Sequence, residues 1–88
     1  MNIAANDDPR ITAVTVDDDV ITATLADGRT IAVPLVWSWR LASATPQQRK
    51  NFEIIGNGQG VHWPDIDEDI SARGMLHGIP AQRPKQTA

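Results

Sequence analysis

Residues 10–35 alternate apolar and polar side chains, and this alternation constrains the fold more than any other feature of the chain. Valine, isoleucine and threonine dominate the stretch, which is interrupted at Asp17-Asp18-Asp19 and at Asp27-Gly28. β-Branched residues with a period of two are typical of strands, and aspartate and glycine are typical of turns. The stretch therefore predicts a three-stranded antiparallel meander.

Side-chain parity restricts the length of both turns, because a register slip of one residue moves every side chain to the opposite face of the sheet. Placing Ile31 on the face of Ile21 requires an odd second turn, and Ala26-Asp27-Gly28 supplies three residues. We expect Gly28 to adopt the left-handed conformation that closes such a loop. The first turn must be even, as Asp18-Asp19 is. The predicted core face is Val14, Val16, Ile21, Ala23, Leu25, Ile31 and Val33.

The second half of the chain predicts short helices and one strand. Residues 35–42 are apolar on all sides and predict a short helix. Thr45-Pro46-Gln47-Gln48 forms a capping box with proline at the first helical position, which predicts a helix that runs to about Ile54. Residues 60–63 predict a brief strand, and residues 71–78 predict a last helix that ends at a glycine.

These elements predict one α+β domain over residues 10–79, with loose tails at residues 1–9 and 81–88. The expected order is the three-stranded meander, then two or three short helices and one short extra strand. The sequence has no cysteine, which removes disulfides and thiolate chemistry. It shows neither a secretory signal nor an apolar run of the ~20 residues that a membrane span needs, so we expect a cytoplasmic protein.

A histidine stands beside four acids in residues 62–69, which is a pattern to test for metal binding. A calcium loop starting at the first acid would need glycine at Ile70 and glutamate at Leu76, so that interpretation fails. A transition-metal site would lack a second histidine at ligand spacing. We therefore expect no metal and no other cofactor. The weak candidate ligands are His62, Asp65 and Asp67.

The same acids also have a structural interpretation. Asp67, Glu68 and Asp69 precede the last predicted helix, where negative charge is stabilised by roughly 0.3–1 kcal/mol through the helix dipole. Either Ser71 or Asp69 would be the N-cap of that helix. An acidic edge that binds a partner is compatible with this arrangement, so the three acids are also candidate partner-binding residues.

Two of the three tryptophans are expected to complete the core. The third, Trp39, lies in the least continuous apolar surroundings and is followed by Arg40, and this pair of residue types is favoured at interfaces. Arg40, Arg49 and Lys50 also make the middle of the chain locally basic, although the net charge is −3. These three residues and Trp39 are further candidate partner-binding residues.

No catalytic arrangement is evident, and we expect no enzyme activity. Ser38, Ser43 and Ser71 lack the sharp strand-to-helix turn of an activated nucleophile, and the chain has no tyrosine. The glycines at positions 56, 58 and 60 follow a predicted helix, whereas a phosphate-binding loop leads from a strand into a helix.

Several short motifs in a fixed order resemble the bacterial domain-of-unknown-function family 2442. They extend from Ile11 to Gly78 and are Leu25-Ala26-Asp27-Gly28-Arg29, Pro34-Leu35, Arg40-Leu41, Ala44-Thr45-Pro46-Gln47-Gln48-Arg49, Gly60-Val61-His62-Trp63-Pro64, Asp67-Glu68-Asp69-Ile70-Ser71 and Leu76-His77-Gly78. The resemblance implies a small α+β domain without an established activity. Relatives are often encoded beside another small protein, which implies a paired system of the toxin–antitoxin kind, and some carry a helix-turn-helix after this domain.

Three hypotheses follow. The first is a non-catalytic protein-interaction module, one half of a two-gene system or an inhibitor from a mobile element, acting as a monomer or small homo-oligomer on a protein of unknown identity. The second is a DNA-associated transcriptional regulator that uses Arg40, Arg49 and Lys50, with weak binding. The third is a metal-dependent enzyme built on His62 and the neighbouring acids. Fold alone does not choose among them.

Overall fold

The computed structural model describes residues 9–78, and its first half is an antiparallel sheet with the strand order β1-β2-β3. The strands are β1 (Ile11–Val16), β2 (Val20–Leu25) and β3 (Thr30–Pro34). Ile21 lies opposite Val33, as parity predicted. The Leu25 N–H donates to the Arg29 carbonyl at 2.8 Å, which closes a three-residue loop with Gly28 at φ +93°. The predicted meander and its second turn are confirmed.

The first turn is even, as parity also required. The Asp17 N–H donates to the Val20 carbonyl at 3.1 Å, which leaves Asp18-Asp19 as a two-residue turn. The Asp17 carboxylate accepts the N–H groups of Asp19 and Val20, each at 2.7 Å. These bonds, that of Val20 above all, lower the pKa of Asp17. Strands β1 and β2 therefore pair in the predicted register, with Val14 and Val16 on the same face as Ala23 and Ile21.

Strand β1 carries a bulge that simple alternation did not predict. Ile11 lies opposite Leu25, whereas Ala13 lies opposite Thr24, so one extra residue is inserted between the two pairs. The bulge turns Ile11 onto the core face, where it is only 3% exposed. The backbone of Gly58 also approaches there, since a Cβ on that glycine would lie 2.9 Å from the Ile11 carbonyl oxygen.

The segment after β3 forms two short helical turns instead of one helix. A 3₁₀ turn at Leu35–Trp37 is followed by α1 (Trp39–Ala42). Ser38 separates them and caps α1, because its hydroxyl accepts the Leu41 N–H at 3.2 Å. A single helix over residues 35–42 was therefore only partly correct.

Helix α2 (Pro46–Lys50) begins at the predicted capping box of Thr45 and Gln48. It ends at Lys50, so its predicted continuation to Ile54 was wrong. Asn51 leaves the helical conformation, and Glu53–Ile55 forms strand β4. The two isoleucines are β-branched, and this strand pairs with residues 60–62, which the local sequence pattern did not reveal.

A second antiparallel sheet of three strands occupies the second half of the described chain, in the order β4-β5-β6. Strand β5 (Gly60–Trp63) was predicted, whereas β4 and β6 (Glu68–Ser71) were not. Helix α3 (Ala72–His77) follows β6; it is capped by Ser71 and ends at Gly78 with φ +74°, as expected. The acids at residues 67–69 lie in the turn before β6 and in β6 itself, so the helix-dipole role assigned to them was wrong.

One core cluster joins both sheets with α1 and α3. Trp63 is fully buried at its centre, and Phe52 packs against it with ring centroids 6.1 Å apart. All seven residues of the predicted core face belong to the cluster or pack against it. Within residues 9–78, no helix is long and apolar enough to cross a membrane. The α+β class is confirmed. Of the loose tails predicted at residues 1–9 and 81–88, all but Pro9 lie outside the described residues, and Pro9 itself is buried.

Replacing Gly28 with valine should destabilise the fold by roughly 1 kcal/mol or more, because a β-branched residue is strained at positive φ. A Cβ at this position would meet no other atom within 4 Å, so the loss of stability would come from backbone strain and not from a steric clash. Urea denaturation of Gly28→Val and Gly28→Asn measures it. Asparagine tolerates the left-handed region and should lose less stability. Equal stability of both variants and the parent would contradict the turn geometry.

Candidate functional site

Arg49 is a buried structural residue whose side chain donates hydrogen bonds to three neighbours. Its side chain is 9% exposed; Nε donates to the Leu41 carbonyl at 3.0 Å and Nη2 to the Ala42 carbonyl at 3.3 Å. Nη1 pairs with the exposed Asp18 carboxylate at 2.9 Å. The Arg49 carbonyl accepts the Trp63 indole N–H at 3.0 Å. Arg49 therefore caps the end of α1 and connects it to both sheets.

This burial corrects two sequence-based assignments. Arg49 was a candidate for partner binding and a member of the basic patch, but its guanidinium faces the interior of the fold. Lys50 is exposed, and Arg40 is half-buried and engaged with the turn before β6. The basic patch is therefore smaller than the sequence indicated, and the argument for DNA binding weakens with it.

Glu68 is also buried and is not an acidic edge residue. It is 6% exposed, and its Oε2 accepts the hydroxyl of the 2%-exposed Ser38 at 2.5 Å. Its Oε1 accepts the Asp69 N–H at 3.0 Å. Hydrogen bonds to both oxygens offset the cost of burying a carboxylate. This pair ties β6 to the start of α1, and sequence reasoning missed it because it joins residues thirty positions apart.

Trp39, Arg40 and Asp67 form one surface feature, which we call the Trp39 surface. Trp63 is buried and Trp37 packs against the core, whereas Trp39 lies outside that cluster and is half-buried, less exposed than the sequence predicted. The Arg40 guanidinium carbon lies 4.9 Å from the Trp39 ring centroid, within cation–π range. Arg40 Nη1 donates to the carbonyl oxygen of Asp67, whose φ of +51° belongs to the turn before β6. Two distant parts of the chain thus hold this surface together.

His62 lies on the outward face of the second sheet between two carboxylates. In the register it stands opposite Glu53 of β4 and Asp69 of β6. Its Nδ1 lies 2.7 Å from Asp69 Oδ1. This hydrogen bond raises the pKa of His62, the charges of Asp69, Glu53 and Asp67 add to the effect, and partial desolvation opposes it. The pairing was missed because β6 was missed, and recognising that strand would have placed Asp69 beside His62.

The weak metal candidates have separate partners. Asp65 accepts a hydrogen bond from the Asn51 amide at 3.0 Å, and His62 pairs with Asp69. Asp67 contributes its carbonyl oxygen to Arg40. Across residues 9–78, no group of three or more histidine, aspartate or glutamate side chains is placed to hold a metal ion.

Removing the Arg49 guanidinium should lower the free energy of unfolding by about 2 kcal/mol or more, because hydrogen bonds from a charged, buried group are lost. The matched control is the next residue, Lys50, which is exposed and should tolerate the same replacement within about 0.5 kcal/mol. Denaturant unfolding of Arg49→Met and Lys50→Met makes the comparison. Similar stabilities for the two variants would show that Arg49 does not hold the fold.

The pKa of His62 should lie above its ordinary value and should fall in an Asp69→Asn variant, which lacks the charged acceptor. Because the pKa of His62 is higher in the folded than in the unfolded chain, protonation of His62 stabilises the fold. This stabilisation is complete at a pH below the pKa of the unfolded chain, and it is lost as the pH rises through the pKa of the folded chain. NMR titration of the His62 ring protons measures both proteins. An unchanged pKa after the substitution would contradict the pairing.

Comparison with known proteins places the chain among small proteins of unknown function. A protein of unknown function from Rhodospirillum rubrum is similar in structure, with a TM-score of 0.73, 31% identity, and coverage of 85% of this chain and 93% of that one. An uncharacterized protein from Chromobacterium violaceum has a TM-score of 0.70 and 28% identity, with coverage of 83% and 69%. No curated protein matches the chain. The profile described as "Protein of unknown function (DUF2442)" matches residues 11–81, and the chain therefore belongs to the DUF2442 family.

Proposed function

We propose that this domain is a non-catalytic protein-interaction module that docks its partner through the Trp39 surface. The observation that carries the proposal is the fixed Trp39–Arg40 pair, in which the guanidinium stacks on the ring and is held by the Asp67 carbonyl. Tryptophan and arginine are enriched among the residues that dominate binding energy. Because the pair is already held in place, docking would lose little side-chain entropy.

The surroundings of the Trp39 surface suit a protein partner. Val36, in the 3₁₀ turn that precedes α1, is 76% exposed, so this segment of the chain also presents apolar area. Asp65 and Asp67 are exposed and acidic, and they lie in the turn before β6 whose Asp67 carbonyl accepts the hydrogen bond from Arg40. An apolar centre with charges of both signs around it is the usual arrangement of a protein interface.

The family context suggests which partner to test first. The resemblance implied that relatives are often encoded beside another small protein, as in a toxin–antitoxin-like pair. In this proposal the neighbouring gene supplies the partner, and the domain inhibits or neutralises it in the cytoplasm without a cofactor. Lys50 and Asp69 are exposed and stay candidate contacts at the edge of the interface.

The test is co-expression of this chain with the product of the neighbouring gene, followed by affinity measurement on the purified pair. Trp39→Ala should weaken binding by about 2 kcal/mol or more, roughly thirtyfold, and should lower the thermal midpoint by only a few degrees. Ile55→Ala is the matched control, because Ile55 is an apolar residue 41% exposed on β4, and it should bind as the parent does.

Three outcomes would contradict the proposal. The first is that the two purified proteins form no complex, the second is that Trp39→Ala binds as tightly as the parent, and the third is that Ile55→Ala loses as much affinity as Trp39→Ala. A fourth concerns stability, since a loss of about 3–5 kcal/mol in Trp39→Ala would show that the ring serves the core instead of an interface.

A further inference from the structure

A cleft of about 510 Å³ opens between the first sheet and the β6–α3 unit. It is separate from the Trp39 surface, because Trp39, Arg40 and Asp67 do not line it. Apolar area that faces water in a cleft is stabilised when an apolar group covers it. The apolar lining consists of Ile21, Val33, Trp37, Ile70 and Met75.

The chain leaves α3 beside this cleft. Gly78 follows the helix with φ +74°, and its N–H donates to the Met75 carbonyl at 3.2 Å, which ends the helix. A Cβ on Gly78 would lie 3.5 Å from Cη2 of Trp37, so the backbone lies close to the edge of the ring. Because Trp37 lines the cleft, the residues that follow Gly78 start at the wall of the cleft.

The sequence beyond Gly78 has an apolar part and a polar part. Residues 79–81 are Ile-Pro-Ala, whereas residues 82–88 include Arg83 and Lys85 and no large apolar side chain. The family profile matches through residue 81 and stops where the polar part begins. The family domain therefore includes the three apolar residues that follow α3.

We propose that residues 79–81 fold back over Trp37 and close the cleft of their own chain, with the Ile79 side chain against the apolar lining. Pro80 disfavours a continued helix, and a residue that precedes proline favours extended backbone. Three extended residues span at most about 10 Å, so the segment reaches only the part of the cleft next to Trp37. This contact is independent of the proposed protein interface, and each can fail without the other.

The first experiment is a ¹³C-edited NOESY spectrum of the full chain, labelled at the isoleucine δ1 methyl groups. The Ile79 methyl should give cross-peaks to the Trp37 ring protons and to the Met75 side chain. A second sample, mixed from labelled and unlabelled chains, reports contacts between copies, and these cross-peaks should be absent from its intermolecular spectrum.

The second experiment titrates benzyl alcohol, a neutral aromatic probe, into the ¹⁵N-labelled full chain and follows the Ile70 and Met75 amide signals. Ile79→Ser should bind the probe about fivefold or more tightly than the parent, because a cleft that is closed about four-fifths of the time loses that factor in apparent affinity. Ile55→Ser is the matched control, because Ile55 is 41% exposed on β4 and does not line the cleft. It should respond to the probe as the parent does.

The proposal is overturned if the Ile79 methyl gives no cross-peak to Trp37 or Met75 in the parent chain. Cross-peaks between copies in the mixed sample would assign the cleft to a second chain instead of its own segment. Probe affinity that is the same in Ile79→Ser and the parent, or that rises equally in Ile55→Ser, would show that residues 79–81 do not close the cleft.

Discussion

The buried guanidinium of Arg49 is the interaction on which the arrangement of the two sheets depends. The guanidinium donates hydrogen bonds to the last carbonyls of α1 and to Asp18 in the turn between β1 and β2. The backbone carbonyl of Arg49 accepts a hydrogen bond from Trp63 of the second sheet. Helix α2, which carries Arg49, has no apolar stripe of its own. The helix is therefore held by its capping box and by this residue, and both sheets are oriented through it.

A second buried contact completes the frame that presents the Trp39 surface. Ser38 caps α1 with its oxygen and donates its proton to Glu68 of β6. The helix that carries Trp39 and Arg40 is thus held at its start by Glu68 and at its end by Arg49. Because both ends are fixed, the Trp–Arg pair sits on a rigid support, which is the condition for a preorganised binding site.

The sequence was sufficient to predict elements that local interactions determine, and it was insufficient for elements that depend on residues distant in the chain. Strand-forming residues and turn residues predicted the meander, parity then predicted both turn lengths and the conformation of Gly28, and the Thr45 capping box predicted the start of α2. Strand β4 has three residues and β6 four, so neither shows a clear period, and each exists through pairing with β5. Arg49 was predicted to be an exposed cation because the groups that accept its hydrogen bonds lie in other elements and are not evident from the local sequence. At the candidate site, the position of Trp39 outside the core cluster was predictable, but the hydrogen bond from Arg40 to the Asp67 carbonyl was not.

Hydrogen–deuterium exchange on the complex with the neighbouring gene's product tests the central claim most directly, because it locates the interface without any substitution. If the Trp39 surface is the docking site, binding should slow exchange in residues 35–42 and in the turn at residues 64–67. Exchange over residues 46–50 should change little, since Arg49 is already buried in the free domain. Protection confined to the outward face of the second sheet, with residues 35–42 unchanged, would contradict the account.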